Sequence, residues 1–171
     1  MKAVLCQQSP KLITPEQYLV QERAAAFKSE FLRGEVFAMA GGSPNHSLIA
    51  ANFAGEARLS LKGKPCKVFT SDLRVKVNPT VLIEVLSEST EKYDRGAKSG
   101  HYRQIAALQE IVLISQDEPL VERFTRQANG GWLLMESWEL SDEVRLESVG
   151  ISITLSELYR GVAFEAKVST L

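Results

Sequence analysis

Val81-Leu82-Ile83-Glu84-Val85-Leu86 is the stretch on which the fold turns. All but one of its side chains are apolar, so it reads as a strand buried on both faces, in the middle of a sheet. Asn78-Pro79 marks a turn ahead of it, and the polar stretch Ser87–Asp94 leads away from it. A helix is expected from about Tyr93 to Ala107, and Leu108–Ser115 then reads as a second buried strand. Asp117-Glu118-Pro119 turns the chain into Leu120–Gln127. Asn129-Gly130-Gly131 joins that run to Trp132–Trp138 as a hairpin. Upstream, Cys66–Phe69 and Leu73–Val77 have strand character.

Further out, two helix starts are written plainly. Thr14, Pro15 and Gln17 form a capping box with proline at the first helical position, opening a helix to about Ala26. Ser43-Pro44 repeats the signal for a helix to about Lys62, with Ile49, Phe53, Ala57 and Leu61 on one face and Gly63 as its stop. Between them Phe31–Met39 reads as a hairpin turning at Arg33-Gly34. A short strand at Ile151–Ile153 and a small helix at Leu155–Tyr159 close the fold, and the tail after Gly161 is expected to be unanchored. The order predicts an α/β (α+β) chain, one mixed sheet flanked by helices. A single domain over residues 1–171 is expected, with its core at about Thr14–Val162.

Composition excludes several classes. The chain has 171 residues, 44% hydrophobic and 24% charged, which is a globular mixture and not a disordered one. Twenty Lys+Arg against 21 Asp+Glu leave a net charge of −1, so any nucleic-acid affinity must come from a local patch. Cys6 and Cys66 make neither a disulfide scaffold nor a CxxC zinc site. Residues 1–12 hold only a short apolar stretch, so no secretory signal is expected, and no apolar run approaches a membrane span. A cytoplasmic protein is the expectation. Nucleotide-binding loops, GxSxG and HExxH are absent, and Ser87 and Ser89 lack a histidine partner in sequence, which argues against a serine hydrolase.

Glu84 is the sharpest chemical signal. A carboxylate in a doubly buried strand must be paired, protonated or bound to a metal. The plain alternative is an arginine partner at a sheet edge. Asp72 lies one strand earlier. A three-residue loop centred on Asn78 would set Asp72 opposite Glu84 with Cβ atoms ~5 Å apart, a pair suited to a hard divalent cation. A two-residue loop would put them on opposite faces, and the apolar pattern does not choose between the registers. Lys98 follows Glu84 by 14 residues. It is either a solvated surface lysine or a charge that orients an attacking water and stabilises developing negative charge. Tyr102 is one helical turn further on, and Arg95 and Arg103 complete a local basic patch able to touch phosphates. His46, in the first turn of its helix, is a candidate anion contact or an ordinary hydrogen-bonded histidine. Glu30 and Glu35 flank the Arg33-Gly34 turn.

Several blocks together resemble one family. They are Thr14–Leu19, Glu30–Val36 with Met39-Ala40-Gly41, Ser43–His46, Ser71-Asp72, Asn78–Thr90, Tyr93–Lys98 with Tyr102-Arg103, and Leu158–Gly161. The pattern is similar to the Uma-two restriction endonuclease family of the PD-(D/E)xK nuclease superfamily, over about Thr14 to Val162. The resemblance implies a restriction-endonuclease-like fold and a Mg²⁺- or Mn²⁺-dependent hydrolase that cuts DNA. It implies Glu84 as a metal ligand and Lys98 as the superfamily lysine, moved from the strand to the next helix. Leu86, where a strand lysine would stand, agrees with that displacement. Family members carry a further strand with a Pro-Asp aspartate ahead of Asn78-Pro79-Thr80, whereas here Leu73–Val77 runs straight into Asn78. One core strand is therefore expected to be missing, with Asp72 as the replacement metal ligand beside Glu84. The alternative is a non-catalytic relative that binds DNA or protein. A homodimer is compatible with cutting both strands.

Overall fold

In the computed structural model, residues 12–32, 34–38, 42–70, 78–87 and 90–164 are described. The chain divides into two compact units, Met1–Gly41 and Gly42–Leu171.

The first unit is a helix and a hairpin. α1 (Pro15–Ala24) opens with the expected capping box: the Thr14 hydroxyl accepts from the Gln17 amide, and the Gln17 side chain accepts from the Thr14 amide. β1 (Ser29–Leu32) and β2 (Glu35–Ala38) pair antiparallel through a two-residue turn. Gly34 sits at φ 93°, where a side chain would be strained and would press on Leu12 and the Ile13 carbonyl. Tyr18 fastens the helix to the hairpin by donating to the Ser29 carbonyl at 2.6 Å and stacking on Phe31.

The second unit carries the sheet. α2 (Pro44–Ser60) is capped by the Ser43 hydroxyl, which accepts from the His46 amide. β3 (Val81–Val85), β4 (Glu110–Ile114), β5 (Val121–Arg126) and β6 (Trp132–Ser137) form a sheet in that order. The β3–β4 pair is parallel and the other two are antiparallel, so the sheet is mixed as expected. A parallel pair requires a crossover. Here it is one continuous helical run: α3 (Glu91–Tyr93), a π-helical turn (Asp94–Lys98) and α4 (Ser99–Tyr102).

Alternation along β3 sorts its side chains between two cores. Val85, with the partly buried Val81 and Ile83, joins Val112, Ile114 and the Ile49-Phe53-Ala57-Leu61 stripe of α2. Leu86 and the partly buried Leu82 join Leu108, Ile111 and Leu113, together with Tyr102 and Ile105 from the crossover. Glu84 has the same parity as Leu82 and Leu86 and faces the crossover. β7 (Glu143–Leu146), β8 (Ile151–Thr154) and α5 (Leu155–Leu158) add an alternating hairpin and a short helix to the α2 side.

Four expectations need correction. Cys66–Phe69 is irregular and not a strand: Val68 packs on the core, but Phe69 is exposed and no ladder partner is present among the described residues. The crossover helix ends at Tyr102, not Ala107. The Arg126 guanidinium stops it by donating to the carbonyls of Arg103, Ile105 and Leu108 while lying 4.6 Å from the Trp132 ring centroid. The chain just past Gly161 is anchored: Val162 and Phe164 pack on the core, Phe164 meets the Tyr159 ring edge-on, and Asn45 donates to the Ala163 carbonyl. β7 was not expected at all. Leu73–Val77, and with it the register that would place Asp72, lies outside the described residues.

Candidate active site

Glu84 is presented by β3 toward the crossover, where the π turn and α4 return three polar side chains to it. Lys98 Nζ lies 3.1 Å from Glu84 Oε1 and 3.1 Å from Asp94 Oδ1. Tyr102 donates its hydroxyl to the same Glu84 Oε1 at 2.5 Å. The lysine is buried, so the reading of Lys98 as a solvated surface residue does not hold. Asp94, Lys98 and Tyr102 recur at four-residue steps along one helical face. The turn between the first two is widened, with the Ser99 amide donating to the Asp94 carbonyl. Such π turns are frequent at functional sites.

The electrostatics follow from the burial. Desolvation pushes the Glu84 carboxyl above its ordinary 4.5, and nearby Asp94 pushes the same way; the Lys98 charge and the Tyr102 and Lys98 hydrogen bonds pull it back. The side chain of Glu84 is 23% exposed against 4% for Asp94. Glu84 Oε1 accepts from both neighbours, while Oε2 takes no partner among the described residues.

Two other buried carboxylates make the contrast. Glu110 is fully buried and spent on the fold: its Oε2 accepts from the Ser148 amide and hydroxyl, and Arg123 stands 3.7 Å from Oε1. Glu122 is paired with Arg95. Both show the arginine pairing that was the plain alternative for Glu84. Glu84 instead meets a lysine and a tyrosine, and its second oxygen has no partner among the described residues.

The remaining sequence candidates are spread around this cluster. Arg95, on the π turn, binds Glu91 at 2.8 Å and Glu122. Arg103 stacks 5.1 Å over the Phe124 ring centroid and leaves its Nε buried without a hydrogen-bond partner. His46 sits on α2, the helix that covers the other face of the sheet, and its ring fills the space beside Gly42. Asp72 lies outside the described residues. Asp94 is a cluster member that the sequence reading did not single out; its spacing from Lys98 was the available signal.

No group of three potential metal-ligating side chains occurs among the described residues. The chemistry of what is present still suits a hard cation in part, since Glu84 Oε2 is an open carboxylate oxygen in a site of oxygen donors. No helix among the described residues is long and apolar enough to cross a membrane.

A mixed sheet between α2 and a lysine-bearing crossover is a nuclease-like fold. It is shared with a crystal structure of a "putative nuclease belonging to DUF820" from Anabaena variabilis, at TM-score 0.66 and 16% identity over 86% of this chain and 97% of that one. The Uma2 family, described as "Putative restriction endonuclease", matches residues 15–80 and 74–156. The chain belongs to that family. Two uncharacterized Synechocystis proteins are similar over most of the chain. Protein slr1290 is 32% identical over 182 positions, covering 91% of this chain and 95% of that one. Protein sll1609 is 31% identical over 155 positions, covering 74% and 88%. An alignment of 182 positions is longer than the 171-residue chain, so slr1290 carries residues with no counterpart here.

Proposed function

We propose that the chain is a metal-dependent DNA endonuclease of the restriction-endonuclease-like class, with Glu84, Lys98 and Asp72 as its catalytic residues. The observation that carries the proposal is the meeting of Glu84 and Lys98 at 3.1 Å, with one carboxylate oxygen left open. Glu84 and Asp72 would hold Mg²⁺ or Mn²⁺. When bound, such an ion polarises a phosphoryl oxygen and lowers the pKa of water.

The chain's own residues do the rest. Tyr102 and Lys98 fix Glu84 Oε1 and so direct Oε2 outward. The Lys98 ammonium orients a water and stabilises the negative charge that develops on phosphorus-bound oxygens. Arg103, 5.1 Å over the Phe124 ring centroid, is a phosphate contact at the edge of the site. Arg95 is a weaker contact because two carboxylates already hold it, and His46 lies away from this site, on the helix that covers the other face of the sheet.

A second reading is a non-catalytic DNA- or protein-binding relative. It is favoured by the run of Leu73–Val77 straight into Asn78, which leaves no stretch for a further strand bearing a Pro-Asp motif. A plasmid-nicking assay decides between the two. Folded protein with Mn²⁺ or Mg²⁺ is compared with Glu84→Ala and Lys98→Ala. Metal-dependent nicking that both substitutions abolish is the expected result. Nicking no greater than that of Glu84→Ala would reject catalysis and leave the binding reading.

A further inference from the structure

We infer that Asp94 is a positioning residue for Lys98, and that the π turn brings the two together beneath Glu84. The functional consequence rests on the nuclease reading above; the geometry does not.

Asp94 is 4% exposed, and a carboxylate that deep is costly unless a cation answers it. Its Oδ1 makes no hydrogen bond by geometry, yet lies 3.1 Å from Lys98 Nζ, so its compensation there is electrostatic. Lysine has a long stem with many rotamers, and a single contact at its tip leaves much of that freedom. Among the described residues, two carboxylates from two elements meet this ammonium: Glu84 from the strand and Asp94 from the turn. Asp94 is the deeper of the two, and it leaves Glu84 free to turn its second oxygen outward. The widened turn, closed from the Ser99 amide to the Asp94 carbonyl, sets the backbone from which both side chains depart. Asp94 therefore acts on the reaction through Lys98 and does not itself touch substrate.

The test reads Lys98 directly. The full chain is dimethylated with formaldehyde and cyanoborohydride, and labelling at each lysine is followed by peptide mass spectrometry, with exposed Lys62 as the internal standard. Lys98 in the wild type should react about tenfold more slowly than Lys62. Asp94→Asn should speed Lys98 severalfold and leave Lys62 unchanged. In parallel, the kcat of plasmid nicking should fall about tenfold with KM nearly unchanged, and Asp94→Glu should recover part of it. An unchanged Lys98 rate in a cooperatively melting Asp94→Asn protein overturns the inference. So does an unchanged kcat beside faster labelling. If the wild type does not nick but Lys98 is released as expected, the nuclease reading fails and the positioning role stands. If Asp94→Asn does not melt cooperatively, Asp94→Ser, which also removes the carboxylate, carries the labelling test: a faster Lys98 supports the role and an unchanged one rejects it.

Discussion

Lys98→Met removes the ammonium between Glu84 and Asp94 and keeps most of the apolar stem. A half-buried and a buried carboxylate then lose the cation they share, with exposures of 23% and 4%. Breaking a buried pair by deleting one partner costs about 3–5 kcal/mol. Glu84 has a cheaper outcome, because its carboxyl can take up a proton. From an ordinary value of 4.5, protonation at pH 7 costs about 3.4 kcal/mol, and at pH 5 only about 0.7 kcal/mol. Those figures cap the Glu84 share of the loss, and the lysine's own desolvation, no longer required, lowers it further. The variant should therefore lose about 2–3 kcal/mol at pH 7 and clearly less at pH 5, where the Glu84 share is at most about 0.7 kcal/mol. Urea unfolding followed by far-ultraviolet circular dichroism at both pH values measures this. An equal loss at the two would mean that packing, not charge, was removed. No loss at pH 7 would mean that the ammonium is solvated and the cluster reading is wrong.

Other consequences are as direct. Tyr102→Phe should cost about 1.5–3 kcal/mol, as for a hydrogen bond to a charged group, and raise the Glu84 carboxyl further, read by carboxyl-region NMR titration. The folded Glu84 carboxyl keeps its proton to higher pH than the unfolded one, so wild-type stability should fall as pH rises from 4.5 through the folded value. Glu84→Gln should flatten that slope in urea melts across the same range, and an identical slope would place the titration elsewhere. Arg126→Ala leaves three carbonyls without their donor and should cost about 2–4 kcal/mol, with faster amide exchange confined at first to residues 103–108. Phe164→Ala should lower the thermal midpoint by the equivalent of about 1–2 kcal/mol, whereas an unanchored tail would show no change.

Much of the fold and part of the site were legible in the residues. The caps at Thr14 and Ser43, the α2 stripe, the apolar runs at β3 and β4 and the Asn129–Gly131 turn are local signals, and local chemistry suffices to place them. Glu84 stood out because a charge in such a run always needs an explanation. β7, where Glu143-Val144-Arg145-Leu146 alternates over only four residues, was too short to separate from a loop. The true end of the crossover was hidden because Arg126, which stops it, arrives from β5. The sequence alone thus determined most of the elements and named Glu84 and Lys98 as a pair to watch. Only the tertiary structure decided that Lys98 is buried and that Asp94 shares it. Only it decided that Tyr102 completes the cluster and that Arg95 is held by Glu122. The physical reason is that helix and strand identity follow from neighbours a few residues apart, whereas the partner of a charge is set by which faces the crossover brings together.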